Sequence, residues 1–179
     1  MKNLRLILPI LALALFAPGC ILTSGQFLID FDLPNMTATS STGLIGEQVD
    51  LSDDSDYKDH KDDVKAIVDY AVLGSFHNTG AADVDVEVWM TRDLTTLTAA
   101  SAVTGSGIKV WGPLRVPSGG TVTIDWDTSA KMFTAAGKQA LLDEAKGDGN
   151  FTLYALGAAG TYSFDVNDGV IALVIDFGI

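Results

Sequence analysis

The residues best suited to chemistry in this sequence are the carboxylates of one acidic segment, residues 50–63. The segment holds seven aspartates against two lysines. Ca²⁺ takes six to eight oxygen ligands, so carboxylates at this density predict a calcium site where they converge. The spacing differs from an EF-hand loop, because the central glycine and the glutamate at the twelfth position are missing. The candidate ligands are Asp53, Asp54, Asp56 and Asp59.

The alternative for this segment is a solvated acidic loop. Runs of like charge are commonly exposed and serve solubility. Asp56 or Asp59 would then cap a short turn before the strand that begins near residue 64, since aspartate side chains accept hydrogen bonds from nearby backbone N–H groups. Both interpretations place the segment at the surface.

Residue sets for catalysis are scarce. The two histidines are His60, inside the acidic segment, and His77, at the end of a predicted strand beside a turn. The sequence has no His-Glu-x-x-His, phosphate-binding loop or Gly-x-Ser-x-Gly motif. A carboxylate pair for glycoside hydrolysis is the remaining alternative, because any two of the 23 acidic residues could lie at the required separation. We therefore predict a protein that is not an enzyme.

Trp89 is the candidate for binding a partner or a glycan. It alternates with apolar residues and falls on the polar side of its strand, with Asp85 and Glu87. An exposed indole offers a flat apolar surface for such contacts. The alternative is that a loop or the predicted helix covers it.

These residues must be positioned by short strands, because a period of two dominates the sequence. Apolar residues alternate with polar ones from Phe27 to Leu33, and the pattern recurs in later segments. Asn78-Thr79-Gly80 predicts a tight turn between two antiparallel strands, and Asn167-Asp168-Gly169 predicts a hairpin. The final strand is apolar on both faces, which predicts a central position in its sheet. The later strands are expected over residues 64–76, 84–90, 121–127, 151–156, 162–166 and 170–177.

One helix is predicted within this β pattern, near residues 134–146. Thr134 suits the N-cap, and Lys146 followed by Gly147 suits the end. Residues 93–107 predict a loop or a brief helical turn, and Pro113 and Pro117 restrict their segment to an edge strand or a loop. Seven to nine short strands with one inserted helix indicate an all-β fold, an antiparallel β-sandwich over residues 27–179.

Two stretches resemble immunoglobulin-like modules of bacterial surface proteins. They are Val68 to Met90, with a long strand, a turn and an alternating partner, and Pro117-Ser118-Gly119-Gly120-Thr121 before a strand. The resemblance implies an immunoglobulin-like sandwich, from which the inserted helix departs.

The N-terminus has the order of an export signal. Lys2 and Arg5 precede an apolar run over residues 6–17, which at about 12 residues is too short to span a bilayer. Ala17-Pro18-Gly19-Cys20 then resembles the lipobox of bacterial lipoproteins. The resemblance implies removal of residues 1–19, a lipid on the Cys20 sulfur, and a tether over residues 20–26. Ile21, in place of aspartate, implies sorting to the outer membrane of a two-membrane envelope.

Composition limits what such a mature chain can bind. It would have 179 − 19 = 160 residues, enough for one domain, and its 11 − 2 = 9 basic residues against 23 acidic ones give a net charge of −14. That charge argues against nucleic acid as a partner. Cys20 is the only cysteine, so the domain folds without an internal disulfide. We expect a membrane-anchored, non-enzymatic binding or structural module of the cell envelope with a protein partner. The alternative is a calcium- or glycan-dependent binding module that uses the acidic segment.

Overall fold

Two antiparallel β-sheets pack face to face in the computed structural model of the chain, which describes residues 24–40, 46–94 and 96–178. The predicted all-β sandwich is therefore confirmed. The first sheet has the order β1 (Ser24–Leu33), β9 (Ser163–Gly178), β4 (Val64–Asn78) and β7 (Thr121–Ile124), with β2 (Met36–Thr39) also paired to β9. The second sheet has the order β3 (Gly46–Asp50), β8 (Asn150–Gly157), β5 (Val84–Thr91) and β6 (Ile108–Val116).

The core lies between the sheets and follows the alternation of the strands. Alternate side chains point to opposite faces of a sheet, so one apolar set per strand meets the other sheet. On β9 the inward side chains Ile171, Leu173 and Ile175 are at most 1% exposed, and Ala172 on the opposite face is also buried. β9 lies between β1 and β4, as its two apolar faces predicted.

The predicted hairpin at Asn167-Asp168-Gly169 is wrong. These residues lie inside the continuous strand β9, and both flanks pair with the same strand, β4. The register shifts there, because two residues of β9 stand opposite Gly74 of β4. Asp168 has a φ of 50°, and its N–H donates to the Asn35 side chain over 2.9 Å. The turn-forming residues therefore make a β-bulge.

The pairing predicted for the strands on either side of Asn78-Thr79-Gly80 is also wrong. Both strands are present, but β4 belongs to the first sheet and β5 to the second. The connection crosses from one sheet to the other, and the Asn78 side chain fixes it by donating to the Ala82 and Val116 carbonyls. Turn chemistry alone does not decide whether the flanking strands pair.

Four helices accompany the sheets in the described ranges: α1 (Ser55–His60), α2 (Ala100–Ser106), α3 (Trp126–Ala130) and α4 (Ala135–Lys146). The predicted helix is α4, with Thr134 Oγ1 accepting from the Gly137 N–H as the N-cap. The brief helical turn expected within residues 93–107 is α2. α1 and α3 were not predicted as helices, because six and five residues give too little periodicity to detect.

Helices α3 and α4 close one side of the sandwich. Ser129 of α3 is fully buried, and its hydroxyl accepts hydrogen bonds from the Val72 N–H at 2.6 Å and from Trp111 Nε1 at 3.0 Å. The first bond satisfies a backbone donor of β4 where no strand lies beside it. α4 packs against β6 and β4, which completes the closure.

The acidic segment crosses one end of the sandwich, from β3 in the second sheet to β4 in the first. It forms a 3₁₀ turn (Leu51–Asp53), α1 and a second 3₁₀ turn (Lys61–Asp63). Leu51 and Tyr57 are fully buried, and Tyr57 Oη donates to the Ala145 carbonyl of α4 over 3.2 Å. Apolar residues inside the acidic segment therefore fasten it to the core.

The predicted signal peptide, residues 1–19, and the lipid-bearing Cys20 lie outside the described residues. Within the part of the chain that is described, no helix has the length and apolar character needed to cross a membrane.

Candidate functional site

A cleft opens on the side of the sandwich opposite α3 and α4, where the edges of β1 and β3 face each other. It has a volume of about 330 Å³. We call it the acidic cleft and define it by its lining residues, which are Ile29, Asp30, Phe31, Asp32, Glu47, Gln48, Val49, Asp50, Asp53 and Asp54.

Six acidic residues from three chain segments line the acidic cleft. The exposed Asp30 and Asp32 lie on the outward face of β1, because the alternate residues Ile29 and Leu33 are buried in the core. The other four come from β3 and the turn that follows it: Glu47, Asp50, Asp53 and Asp54. Within the described ranges, none of the six forms an ion pair.

Two of these carboxylates cap turns. Asp50 Oδ1 accepts from the Ser52 N–H at 2.8 Å. Asp54 Oδ1 accepts from the N–H groups of Asp56 and Tyr57, at 2.9 and 3.0 Å. These bonds satisfy the donors left open at a helix start, and the carboxylate charge complements the helix dipole. The capping role expected of Asp56 or Asp59 thus belongs to Asp54.

The four candidate calcium ligands do not come together. Asp53 and Asp54 line the acidic cleft, whereas Asp56 and Asp59 lie exposed on α1. Across the described residues, no three histidine, cysteine, aspartate or glutamate side chains form a group that could hold a metal ion.

Trp89 is half-buried and packs against the core cluster. Its Nε1 donates to Glu87 Oε2 at 2.9 Å, and Glu87 Oε1 accepts from Lys109 Nζ at 3.0 Å. The indole shares the outward face of β5 with Glu87, as the alternation predicted. Its polar edge is already hydrogen-bonded, which reduces its value as a free binding surface.

The histidines make packing and hydrogen-bond contacts. His60 stacks on the Phe177 ring with centroids 4.1 Å apart. His77 Nδ1 lies 3.0 Å from the Thr121 hydroxyl, between two neighbouring strands of the first sheet. The contacts of both histidines are therefore packing or hydrogen bonding between neighbouring elements of the fold.

Several basic side chains make ion pairs or a cation–π contact with residues that do not line the acidic cleft. Arg92 bonds Asp143 and Glu144, at 2.8 and 2.9 Å. The hydrogen bond from Arg92 lowers the pKa of Asp143, while burial raises the pKa of Glu144 despite the same guanidinium. Arg115 bonds Asp83 at 2.9 Å, and the Lys138 ammonium lies 5.2 Å from the Tyr70 ring centroid. These cations are therefore engaged elsewhere.

Sequence reasoning did not find the acidic cleft. Asp30 and Asp32 are separated from Glu47 by 15 or more positions, and only the packing of the two sheets, with β1 and β3 at neighbouring edges, brings them to the same cleft. A signal was present in the sequence, since two aspartates occupy the solvent side of the first strand and more aspartates follow β3.

Comparison with known proteins gives no family. No protein-family model and no curated protein matches the chain. Among solved structures, one of the infectious bursal disease virus Gt strain resembles it at 13% sequence identity and a TM-score of 0.24. The match covers 85% of this chain and 30% of the viral chain. A TM-score this low establishes no common fold, so function must be inferred from the geometry of the molecule itself.

Proposed function

We propose that the chain is a lipid-anchored, non-enzymatic binding module of the cell envelope that holds a cationic segment of a partner protein in the acidic cleft. The observation that carries the proposal is the set of six acidic residues that line one concave, open cleft. A cleft lined by one sign of charge attracts ligands of the opposite sign and speeds their association. The same charge disfavours nucleic acid.

The anchor in this proposal is Cys20. Three residues separate it from Ser24, where β1 begins, and an extended chain covers at most about 14 Å over the four steps between the two Cα atoms. Acyl chains on Cys20 would hold the domain on the bilayer without a span, since two chains give stable anchoring. In an envelope with two membranes, Ile21 supports placement on the outer one.

The anchor is tested by intact-mass measurement of the chain from isolated membranes. We expect a chain that begins at Cys20 and carries the mass of its acyl groups, and a Cys20→Ser variant that leaves the membrane fraction. Recovery of an unacylated Cys20 in the membrane fraction would refute anchoring by this residue.

The cleft is tested by titrating the chain with a deca-lysine peptide in a calorimeter. We expect binding that weakens as salt is added, because exposed charges are screened over about 10 Å at 0.1 M salt. Neutralising Asp30, Asp32, Glu47 and Asp53 together should weaken binding at least tenfold.

The matched control neutralises four exposed aspartates elsewhere, Asp59, Asp62, Asp63 and Asp127, which makes the same change in net charge. It should keep affinity within about threefold, because none of the four lines the acidic cleft and salt screens exposed charges that lie farther from the peptide. Equal losses in the two variants would show that net charge alone attracts the peptide, and the acidic cleft would then have no special role.

A further inference from the structure

We infer that the cationic partner binds by strand addition, as an extended segment that pairs with the free edge of β1 and extends the first sheet. The inference rests on the proposed binding function and specifies the form of its ligand. Strand addition uses main-chain hydrogen bonds for affinity and alternate side chains for specificity.

The edge of β1 is long and regular. β1 pairs with β9 from Ser24 opposite Gly178 to Leu33 opposite Gly169, ten residue pairs without a register shift. On its other side no strand pairs with it within the described ranges. An extended strand of this length presents a row of backbone donors and acceptors that a second chain can use.

Two other edges of the sandwich are covered. Beside β4, the Ser129 hydroxyl accepts a hydrogen bond from the Val72 N–H. Beside β6, the Gly112 N–H donates to the Met132 carbonyl at 3.2 Å, and the Thr134 N–H donates to the Val110 carbonyl at 2.9 Å. The edges that remain in the described ranges are short, with four residues in each of β2 and β7 and five in β3. β1 therefore offers the longest template for pairing.

Charge selects the occupant of this edge. Side chains of an added strand alternate between two faces, about 6.8 Å apart on each face. On the outward face they would lie beside Asp30 and Asp32. On the other face they would enter the acidic cleft, over the half-buried ring of Phe31 and toward Glu47 and Asp53. Opposite charges across neighbouring strands stabilise the pairing, so a segment with lysine or arginine at alternate positions fits best.

The same charges disfavour a second copy of the chain. An antiparallel pair of β1 strands centred on residue 31 would set aspartate against aspartate, and like charges directly opposite each other destabilise a sheet. The partner is therefore a different chain with a basic extended segment.

The test uses two ten-residue peptides with lysine alternating with threonine or valine. One has a normal backbone, and the other carries N-methyl groups on alternate amides, which removes donors from one edge while the charge is kept. With the full chain purified from membranes in detergent, we expect the normal peptide to bind at least tenfold more tightly. Hydrogen exchange at the β1 amides should slow only when the normal peptide is bound.

A charge swap provides the second measurement. The Asp30→Lys/Asp32→Lys variant should bind the lysine peptide at least tenfold more weakly. It should acquire affinity for a peptide with glutamate in place of lysine. Asp56→Lys/Asp59→Lys, with the same charge change on α1, should keep its preference for lysine. A swap variant that fails to gain the glutamate peptide would count against pairing beside β1.

The outcomes separate the two proposals. Equal binding of both lysine peptides without protection of β1 would overturn strand addition and leave the acidic cleft as an electrostatic site. Absence of binding by either peptide would overturn the proposed function as well, and Asp30 and Asp32 would then act as charges that guard an edge against pairing.

Discussion

Replacing two helical glycines by alanine should have opposite effects on stability. In an exposed helix, alanine is favoured over glycine by about 0.5–1 kcal/mol, because glycine loses more backbone entropy on folding. At Gly105 of α2 an added Cβ meets no atom within 4 Å. Gly105→Ala should therefore raise the free energy of unfolding by about 0.5 kcal/mol.

At Gly137 of α4 the same Cβ would lie 2.5 Å from Val110 Cα and 2.7 Å from the Val110 carbonyl oxygen of β6. Both are backbone atoms and cannot rotate away, so the helix must shift from the sheet that it covers. Overpacking of this kind costs about 1–3 kcal/mol, which exceeds the gain in helix propensity. Gly137→Ala should therefore destabilise the protein by about 1–2 kcal/mol.

The two variants are compared by urea denaturation and by thermal melting. For a domain of this size about 1 kcal/mol corresponds to 2–4 °C in the melting temperature, so the variants should differ by roughly 3–10 °C. Stabilisation by Gly137→Ala equal to that by Gly105→Ala would refute the close packing of α4 against β6. It would also weaken the assignment of this side of the sandwich as the closed one.

Three further predictions concern the buried Ser129 hydroxyl, the candidate calcium ligands and the carboxylate of Asp83. Ser129→Ala should destabilise the protein by about 1–3 kcal/mol, because the buried Val72 N–H loses its acceptor. The control Ser106→Ala, at an exposed position, should change the urea midpoint little. Equal effects of the two substitutions would refute the role of Ser129 in closing the edge of β4. Millimolar Ca²⁺ or EDTA should leave the melting temperature unchanged, because the candidate ligands are apart, and a clear rise with Ca²⁺ would restore the calcium-dependent alternative. Hydrogen bonds from the Ser118 N–H and the Arg115 guanidinium lower the pKa of Asp83, so the carboxylate stabilises the fold above its ordinary pKa and this stabilisation is lost as the pH falls through the lowered value. Urea titrations of Asp83→Asn should therefore show a smaller acid-induced decrease in the free energy of unfolding than the unsubstituted chain. An equal decrease in both would contradict this role of Asp83.

The strands were predictable because the sequence of each one alternates between apolar residues that are buried and polar residues that are exposed. Phe27 and Ile29 face the core, and Asp30 and Asp32 face outward, as the period of two requires. The N-cap at Thr134 likewise depends on residues within one turn. Strand alternation and this helix cap, which depend on neighbours in sequence, were therefore found.

Pairing was harder because it depends on residues far along the chain. A residue with positive φ fits a hairpin turn or a β-bulge equally well. At Asp168 the bulge forms because the partner strand has a single residue, Gly74 with a φ of 132°, opposite two residues of β9. The acidic cleft was missed for the same reason, since its two walls belong to different sheets. The acidic segment itself was recognised, but with Tyr57 buried, Asp56 and Asp59 lie exposed on α1, apart from Asp53 and Asp54 at the acidic cleft.

The place of β1 in the chain has a mechanical consequence. In the proposed complex, tension between the membrane and the partner enters at Ser24 and runs along the strand that the partner is paired with. Force parallel to two paired strands loads all the hydrogen bonds between them at the same time. Force perpendicular to the strands opens these hydrogen bonds one after another. The pull would pass from lipid to partner through β1, without passing through the second sheet.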